Sequence, residues 1–335
     1  MNFRNLRLVG VLSVFSLGFA VNRAEAASYL YGASPYSVFV QNYFSFGGPD
    51  SVGAVAAGGN ITLGASASVA SGYSLGTFPN PALVAGGALS CPNQCEVNGN
   101  IYAGSESGTI YDNTTGFKNA IGGPDPIDFS DTFTQLKGLS TWLTGLGTTS
   151  GDGCTFAFTT LTCTAAASGL NVIDIPATGT VNAALLGTAN LAFDISPGAT
   201  LVIDVAGVSG SLGSPGHGFS VTDKQKLLFN YSSATTLITL GGTVDGSLLA
   251  PWANVSTGSG LSGGGQFTGN LIAQSYSGSG LEFENDLFNG DVPEPGTFAM
   301  LGGGVTMLLA ALLMRRRLVA KLIDSRATHG RSPKS

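Results

Sequence analysis

Short apolar runs, each about the length of a β-strand, alternate with glycine, asparagine and aspartate residues along the middle of the chain. Runs of this length between turn-forming residues are typical of all-β proteins. A motif of the form apolar-x-Gly-x-Ile/Leu occurs at 97–101, 244–248 and 267–271. This motif fits the rungs of a parallel β-solenoid or β-helix, in which inward apolar residues stack and glycine turns the chain. Because the motif has no fixed period, a β-sandwich is the alternative fold.

One segment, residues 128–146, has a helical rather than a strand-like pattern. Asp125 or Asp128 can cap its start, and Gly145 and Gly147 mark its end. Its apolar face requires a partner, so we expect one α-helix that packs along a flank of the β-stack. The apolar positions are Phe129, Phe133, Leu136, Leu139 or Leu143, and Trp142.

The N-terminal residues predict a Sec signal peptide. Two arginines precede an apolar run at 8–21, which is short for a membrane-spanning helix. Ala24 and Ala26 then provide the small-residue pattern that signal peptidase cuts. We therefore expect residues 1–26 to be removed.

The C-terminal residues combine a proline-rich motif, an uncharged apolar stretch at 297–314 and an arginine cluster. A stretch of this length can cross the roughly 30 Å hydrocarbon core as a helix. The arginine cluster is expected to stay on the cytoplasmic side, followed by a cytoplasmic tail at 318–335. The motif and the cluster are Val292, Pro293, Glu294, Pro295, Arg315, Arg316 and Arg317.

Residues 292–317 thereby resemble the PEP-CTERM sorting signal of exopolysaccharide-producing Gram-negative bacteria. The resemblance implies that exosortase, a membrane protease-transferase, cuts near the motif. It also implies an intermediate anchored in the inner membrane, followed by release to the cell surface or the extracellular matrix. Members of that family usually stop within a few residues of the arginine cluster, whereas this chain continues to Ser335.

The charges of the segment between the two ends exclude one class of partner. Residues 27–292 contain four lysines, no arginine and 17 acidic residues, a formal net charge of −13. Nucleic-acid binding requires a basic surface, so we expect no nucleic-acid partner. The whole chain has two histidines and four cysteines, and this scarcity argues against an enzyme.

The four cysteines form two closely spaced pairs on the predicted exported side. Because that compartment is oxidising, we expect disulfides between Cys91 and Cys95 and between Cys154 and Cys163. Free or exchanged thiols are the alternative. Neither pair has a neighbouring histidine, and a metal site is therefore not expected there.

Residues 27–291 carry a second resemblance, to the choice-of-anchor A family. Its opening is matched by 36–40 and 52–61, and its close by 244–251, 269–273 and 282–285. The resemblance implies a bacterial surface module with an adhesive or matrix role and a β-helical fold. It implies no catalytic residues.

Few side chains are candidates for a chemical site. Glu282, Glu284 and Asp286 alternate with apolar residues, so on one strand they would share a face that could hold calcium or act on a glycan. A solvated strand face is the simpler interpretation, and we expect no catalytic residue and no cofactor. His217 is interpreted as a loop residue. Aromatic residues near the start could form a carbohydrate platform, although core packing accounts for them more simply: Tyr29, Tyr31, Tyr36, Tyr43, Phe44 and Phe46.

The sequence therefore predicts an exported, non-enzymatic surface protein that makes multivalent contacts with exopolysaccharide or other surface glycans. The alternative is a polysaccharide lyase on a β-helix, which the absence of arginine between the ends disfavours. A third function, ice binding on a flat solenoid face, would need a regular Thr-x-Thr ladder. The threonine pairs at 148–149, 159–160 and 235–236 do not form one.

Overall fold

The computed structural model describes residues 30–73, 81–112, 120–258, 261 and 264–292. Within these residues there are 23 β-strands and one α-helix. The helix, α1, is Phe129–Leu146. The strands are β1 Tyr36–Val40, β2 Phe44–Phe46, β3 Asp50–Ser51, β4 Ala54–Ala57, β5 Ile61–Leu63, β6 Ser68–Val69, β7 Leu83–Val97, β8 Ile101–Asp112, β9 Ala120–Ile121, β10 Gly153–Ala157, β11 Thr160–Ala165, β12 Gly169–Ile175, β13 Asn190–Ile195, β14 Ala199–Val205, β15 Gly210–Leu212, β16 Phe219–Val221, β17 Leu227–Asn230, β18 Leu237–Leu240, β19 Val244–Asp245, β20 Ser247–Thr257, β21 Gly265–Thr268, β22 Leu271–Gly278 and β23 Leu281–Phe283.

The strands form a mainly β, parallel, solenoid-like stack, as the sequence predicts. Among the described strands, β10 and β11 pair antiparallel, and every other pair is parallel. The alternative of a β-sandwich does not apply, because sandwiches are built from antiparallel sheets.

The rungs of the stack do not follow the order of the chain. The first strand, β1, lies between β22 and β4. From β1 the stack continues through β4, β7 and β8 to β9 at one end. On the other side of β1 it continues through β22, β20, β17 and β14 to β12. The chain therefore starts in the middle, builds one half outward, crosses to the far end and builds the second half back to the middle.

Helix α1 makes that crossing along one side of the stack. Its 18 residues span about 27 Å, close to five or six strand spacings of about 4.8 Å. The Asp128 carboxylate accepts a hydrogen bond from the Asp131 N–H at 2.9 Å and so caps the first turn. The prediction of one helix at 128–146 is confirmed, with Asp128 as its N-cap.

Two apolar clusters hold the fold together. One fills the interior of the stack. The other lies between α1 and the outward side chains of the strands beneath it, which we call the helix face. Seven α1 side chains are buried, and five of them belong to this cluster: Phe129, Phe133, Leu136, Leu139 and Leu143. The strand residues they cover include Val172, Val202, Leu228, Leu249, Ile272 and Phe39.

The glycines of the predicted rung motif turn the chain at one corner of the stack. Gly99, Gly246 and Gly269 have φ values of 137°, 134° and 117°, a region that side chains other than glycine rarely adopt. A Cβ on Gly269 would lie 2.6 Å from the Ser247 Oγ and 2.8 Å from the Gly246 carbonyl oxygen. Glycine is therefore required by both backbone conformation and space.

Both predicted disulfides, Cys91–Cys95 and Cys154–Cys163, are present. Within the part of the chain described here, no helix is long and apolar enough to cross a membrane. Several predicted features lie outside the described residues: Ala24, Ala26, Pro293, Glu294, Pro295, the stretch 297–314, Arg315, Arg316 and Arg317.

Candidate functional site

The stack has two faces that α1 does not cover. We call one the hydroxyl face; it is formed by β15, β18, β2, β5 and the middle or later parts of β20, β22, β7 and β8. The other, the acidic face, is formed by β11, β13, β16, β19, β21, β23, β3, β6 and the end of β7. Because the helix face is buried, these two faces are the candidates for contact with a partner.

An unbroken column of serine and threonine runs the length of the hydroxyl face. Each member is the direct register partner of the next, and all eight point outward, half-buried or exposed. Neighbouring strands lie about 4.8 Å apart, so the column is about 33 Å long. Its members, in spatial order, are Ser211, Thr239, Ser256, Ser277, Ser45, Thr62, Ser90 and Ser107.

A second column lies two residues earlier on the same rungs and is more varied. At its centre Tyr43 is 46% exposed, between the buried Ser275 and the exposed Asn60. The Asn60 Oδ1 accepts a hydrogen bond from the Ala88 N–H at 2.9 Å, which orients its amide along the sheet. The column reads Leu237, Asn254, Ser275, Tyr43, Asn60, Ala88 and Ser105.

The hydroxyl face is backed by a tightly packed interior. Directly beneath it, Phe44 and Tyr276 stack with their ring centroids 5.3 Å apart, and Phe46 lies 5.4 Å from Phe44. Ile61 and Val255 are fully or almost fully buried on neighbouring rungs. Since parallel main-chain ladders and a close-packed core fix these strands, the face is preformed and loses little conformational freedom on contact.

The acidic face carries carboxylate side chains, which the two columns of the hydroxyl face lack. Asp50 is in register with Ser68, which is in register with Glu96, and Glu282 lies on the adjacent rung. Partial burial raises the pKa of Asp50, and the neighbouring Glu96 carboxylate raises it further. Glu282 also lines an open groove of about 510 Å³ with Gln266.

The three carboxylates that suggested calcium binding do not lie along one strand. Strand β23 ends at Phe283, so Glu282 is on the strand while Glu284 and Asp286 follow it. Asp286 forms an ion pair with Lys224 at 2.5 Å, and Glu284 accepts a hydrogen bond from the Gln266 Nε2 at 2.9 Å. Burial, and then the Glu282 and Asp286 charges, raise the pKa of Glu284.

Among the described residues no group of three or more His, Cys, Asp or Glu side chains could hold a metal ion. His217 lies exposed in a loop, as predicted from the sequence, and its backbone N–H donates to the Ser214 carbonyl at 3.2 Å. Calcium binding stays a prediction for Glu282, Glu284 and Asp286.

One polar network is buried between α1 and the helix face. The Asp204 carboxylate, 6% exposed, accepts hydrogen bonds from the Asn230 Nδ2 at 2.6 Å and the Thr144 Oγ1 at 2.9 Å. The Ser140 hydroxyl donates to the Asn230 Oδ1 at 2.5 Å. Burial raises the pKa of Asp204, while these two hydrogen bonds lower it and the nearby Asp174 charge raises it. The network fixes the C-terminal half of α1 against the stack and is not exposed to a ligand.

The two ends of the described domain meet at Asn270. Its Nδ2 donates to the carbonyl oxygens of Tyr36 at 2.7 Å and Ser34 at 3.1 Å, and its Oδ1 accepts from the Phe288 N–H at 2.8 Å. The segment that follows continues across the stack and ends with Val292 buried in the same cluster as α1. The first residue of the predicted sorting motif is therefore packed against the folded domain.

Comparison with known families accounts for most of the chain. Residues 29–285 match the family model described as "Putative Ice-binding-like adhesive domain". The chain belongs to this family. Residues 291–317 match the PEP-CTERM protein-sorting motif, which confirms the resemblance of residues 292–317 and indicates an exported protein sorted to the bacterial surface. Assignment to the choice-of-anchor A family stays a prediction.

Two solved structures are similar to this chain at low sequence identity. One is a glycosylated ice-binding protein (LeIBP) from an Arctic yeast, at 16% identity over 81% of this chain and 97% of that chain, with a TM-score of 0.32. The other is an ice-binding protein from the Antarctic ascomycete Antarctomyces psychrotrophicus, at 14% identity over 78% and 97%, with a TM-score of 0.31. No curated protein sequence matches the chain.

The hydroxyl column is the feature that sequence reasoning missed. The threonine pairs at 148–149, 159–160 and 235–236 do not belong to it. Its two central members, Ser277 and Ser45, are 232 positions apart in the chain and become neighbours because β2 stacks on β22. A signal that could have found it is the recurrence of an outward Ser or Thr between two buried apolar residues, as at 44–46 and 61–63.

Proposed function

We propose that this protein is exported, sorted by exosortase through its C-terminal signal, and acts outside the cell as a non-enzymatic adhesive module. The hydroxyl face is its contact surface. The observation that carries this proposal is the eight-membered Ser/Thr column on a preformed, uncovered face. Membership of an adhesive-domain family and the sorting motif support it.

The column suits weak, repeated contacts. Each hydroxyl offers one donor and two acceptor positions, and a single exposed hydrogen bond adds little net affinity. Eight regularly spaced hydroxyls on one rigid surface multiply that affinity through effective concentration. The partner is therefore a surface or polymer with repeated polar groups, and the extracellular polysaccharide of the producing cell is the class that we propose.

The sorting part of the proposal is tested by cell fractionation. A tagged chain is expressed in an exosortase-positive host and in the same host without exosortase, and its mass is followed in membrane, matrix and medium. We expect a shortened product outside the membrane only when exosortase is present. An uncut membrane form in both hosts would contradict exosortase sorting and would describe a permanently anchored domain.

The contact surface is tested in the same host by blocking the hydroxyl face. The double variant Thr62→Lys, Ser277→Lys places two long charged side chains on the column. The matched control Thr164→Lys, Ser220→Lys alters two exposed positions on the acidic face. We expect the first variant to shift the processed protein from matrix to medium by about tenfold, because multivalent contact is lost, and the control to stay in the matrix. Equal retention of both variants would exclude the hydroxyl face as the contact surface.

Ice binding is a second candidate function, favoured by the regular spacing of the column and by the description of the family. The exposed ring of Tyr43 lies beside the column and interrupts a flat contact plane. Thermal hysteresis and inhibition of ice recrystallisation by the purified protein, abolished by Thr62→Lys, Ser277→Lys, would establish this second function. Their absence would exclude it without affecting matrix retention.

A further inference from the structure

Resting on the proposed function, we infer a narrower ligand class for the hydroxyl face. We propose that this face binds one neutral, extended polysaccharide chain that lies along the Ser/Thr column, with a sugar ring stacked on Tyr43. Three independent features of the face lead to this ligand: its width, its charge and its central aromatic ring.

The accessible hydroxyls form a line rather than a plane. One column of eight hydroxyls is continuous, while in the column beside it, which begins with leucine, the exposed polar side chains Asn254, Asn60 and Ser105 are separated by alanine, a tyrosine and a buried serine. On the other side the rungs end in corner glycines without side chains, such as Gly47, Gly64 and Gly241, each packed against the backbone or a serine of the next rung. A continuous track of hydroxyls that is one residue wide and about 33 Å long fits a single linear polymer.

The face is neutral in a strongly acidic domain. No member of either column is charged. Glu106, on the last rung, is the only charged residue among the described residues of this face. The domain around it carries 17 acidic residues, four lysines and no arginine. The electrostatic field of this acidic domain repels polyanions that come within about 8 Å, the screening length in physiological salt. A uronate-rich chain is therefore disfavoured and an uncharged glycan is accepted.

Tyr43 provides the apolar contact that hydroxyls alone lack. The ring precedes β2, is 46% exposed, and its backbone is fixed because its carbonyl accepts the Tyr276 N–H at 3.0 Å. Tyr43 and Ser45 are two residues apart, so their side chains lie on the same face. A tyrosine ring combines an apolar surface with a polar tip and is suited to stack on the C–H side of a sugar ring. It also fixes the position of the chain relative to the Ser277, Ser45 and Thr62 hydroxyls.

The test uses the full-length protein, purified in detergent, in native affinity electrophoresis. The gels contain hydroxyethylcellulose or dextran as neutral probes, or alginate as the anionic probe. We expect retardation by a neutral probe and none by alginate. Tyr43→Ala is expected to weaken the retardation about tenfold, equivalent to about 1.4 kcal/mol, and Tyr43→Trp to preserve it. The matched control is Tyr111→Ala, because Tyr111 is 49% exposed but lies at the end of the stack on the acidic side.

The outcomes distinguish a wrong ligand class from a wrong adhesive function. Retardation by a neutral probe that falls in Tyr43→Ala but not in Tyr111→Ala supports the inference. Retardation by alginate alone, no retardation by either neutral probe, or equal binding by Tyr43→Ala and the native protein would overturn it. If the Thr62→Lys, Ser277→Lys variant still loses matrix retention in those cases, the proposed adhesive function stands and the ligand is of another class.

Discussion

Replacing Asn270 with alanine tests whether this side chain joins both ends of the domain to the middle of the stack. Asn270 is fully buried and makes three short hydrogen bonds, to the Tyr36 and Ser34 carbonyls and from the Phe288 N–H. Each intramolecular hydrogen bond contributes about 1 kcal/mol net, and a buried group left without a partner costs about 1–3 kcal/mol. We therefore expect Asn270→Ala to lower the free energy of unfolding by at least about 3 kcal/mol.

Urea unfolding followed by tryptophan fluorescence measures this loss. Trp142 and Trp252, the two tryptophans of the chain, both lie in the stacked domain and report on its unfolding. With an m-value of about 3 kcal/mol/M, the midpoint should fall by about 1 M urea. Asn254→Ala, at an exposed position, is the control and should change stability by less than about 0.5 kcal/mol.

Asn270→Asp refines the test, because aspartate keeps the shape and the acceptor but cannot donate to the two carbonyls when ionised. It should destabilise about as much as alanine. Hydrogen exchange should quicken at residues 286–292 and near 33–36 in both variants. A midpoint for Asn270→Ala equal to that of Asn254→Ala would refute the account of how the ends are held.

Three further predictions concern the same domain. Phe133→Ala removes a fully buried ring between α1 and the helix face and should cost about 3–5 kcal/mol in unfolding free energy, measured by urea; a cost below about 1 kcal/mol would mean that the helix does not pack as described. Gly246→Ala forces a side chain into a φ of 134° beside Leu227 and should lower stability by about 1–3 kcal/mol, whereas Gly138→Ala, within α1 where a Cβ meets nothing, should stabilise by up to about 1 kcal/mol. The raised pKa of Asp204 means that the folded state binds its proton more tightly than the unfolded state, so stability should fall as pH rises from the ordinary aspartate value through the raised one. Asp204→Asn should remove that part of the pH dependence, and an unchanged urea-midpoint profile from acid to neutral pH would contradict it.

Local features of the fold could be predicted from the sequence because their causes are local. The helix has its start and stop signals at Asp128 and Gly147, and its predicted apolar positions are buried, with Trp142 half-buried. The glycines of the rung motif mark corners because a positive φ is readily adopted by glycine itself and needs no contact with a distant part of the chain. The disulfides follow from close spacing, and Cys154 and Cys163 face each other across a hairpin.

The order of the rungs could not be predicted, because it depends on contacts between residues far apart in the chain. Nothing near Val38 shows that it pairs with both Leu271 and Val55, and so places the first strand in the middle of the stack. The hydroxyl column depends on that order. The prediction that the aromatic residues near the start pack in the core holds for Tyr36, Phe44 and Phe46, whereas Tyr43 is exposed. The strand pattern predicts which side of a strand faces inward, but not which outward residues become neighbours.

Two distant halves of the chain join to make one continuous hydroxyl column. The most direct measurement is disulfide formation in the double variant Ser45→Cys, Ser277→Cys, compared with Ser45→Cys, Ser107→Cys, by mass spectrometry of peptides from the oxidised protein. Register partners on neighbouring strands fall within the Cα separation of about 4.4–6.8 Å that a disulfide needs, whereas Ser45 and Ser107 lie three rungs, about 14 Å, apart. We expect a 45–277 disulfide and no 45–107 disulfide. A 45–107 disulfide, or none between 45 and 277, would contradict it.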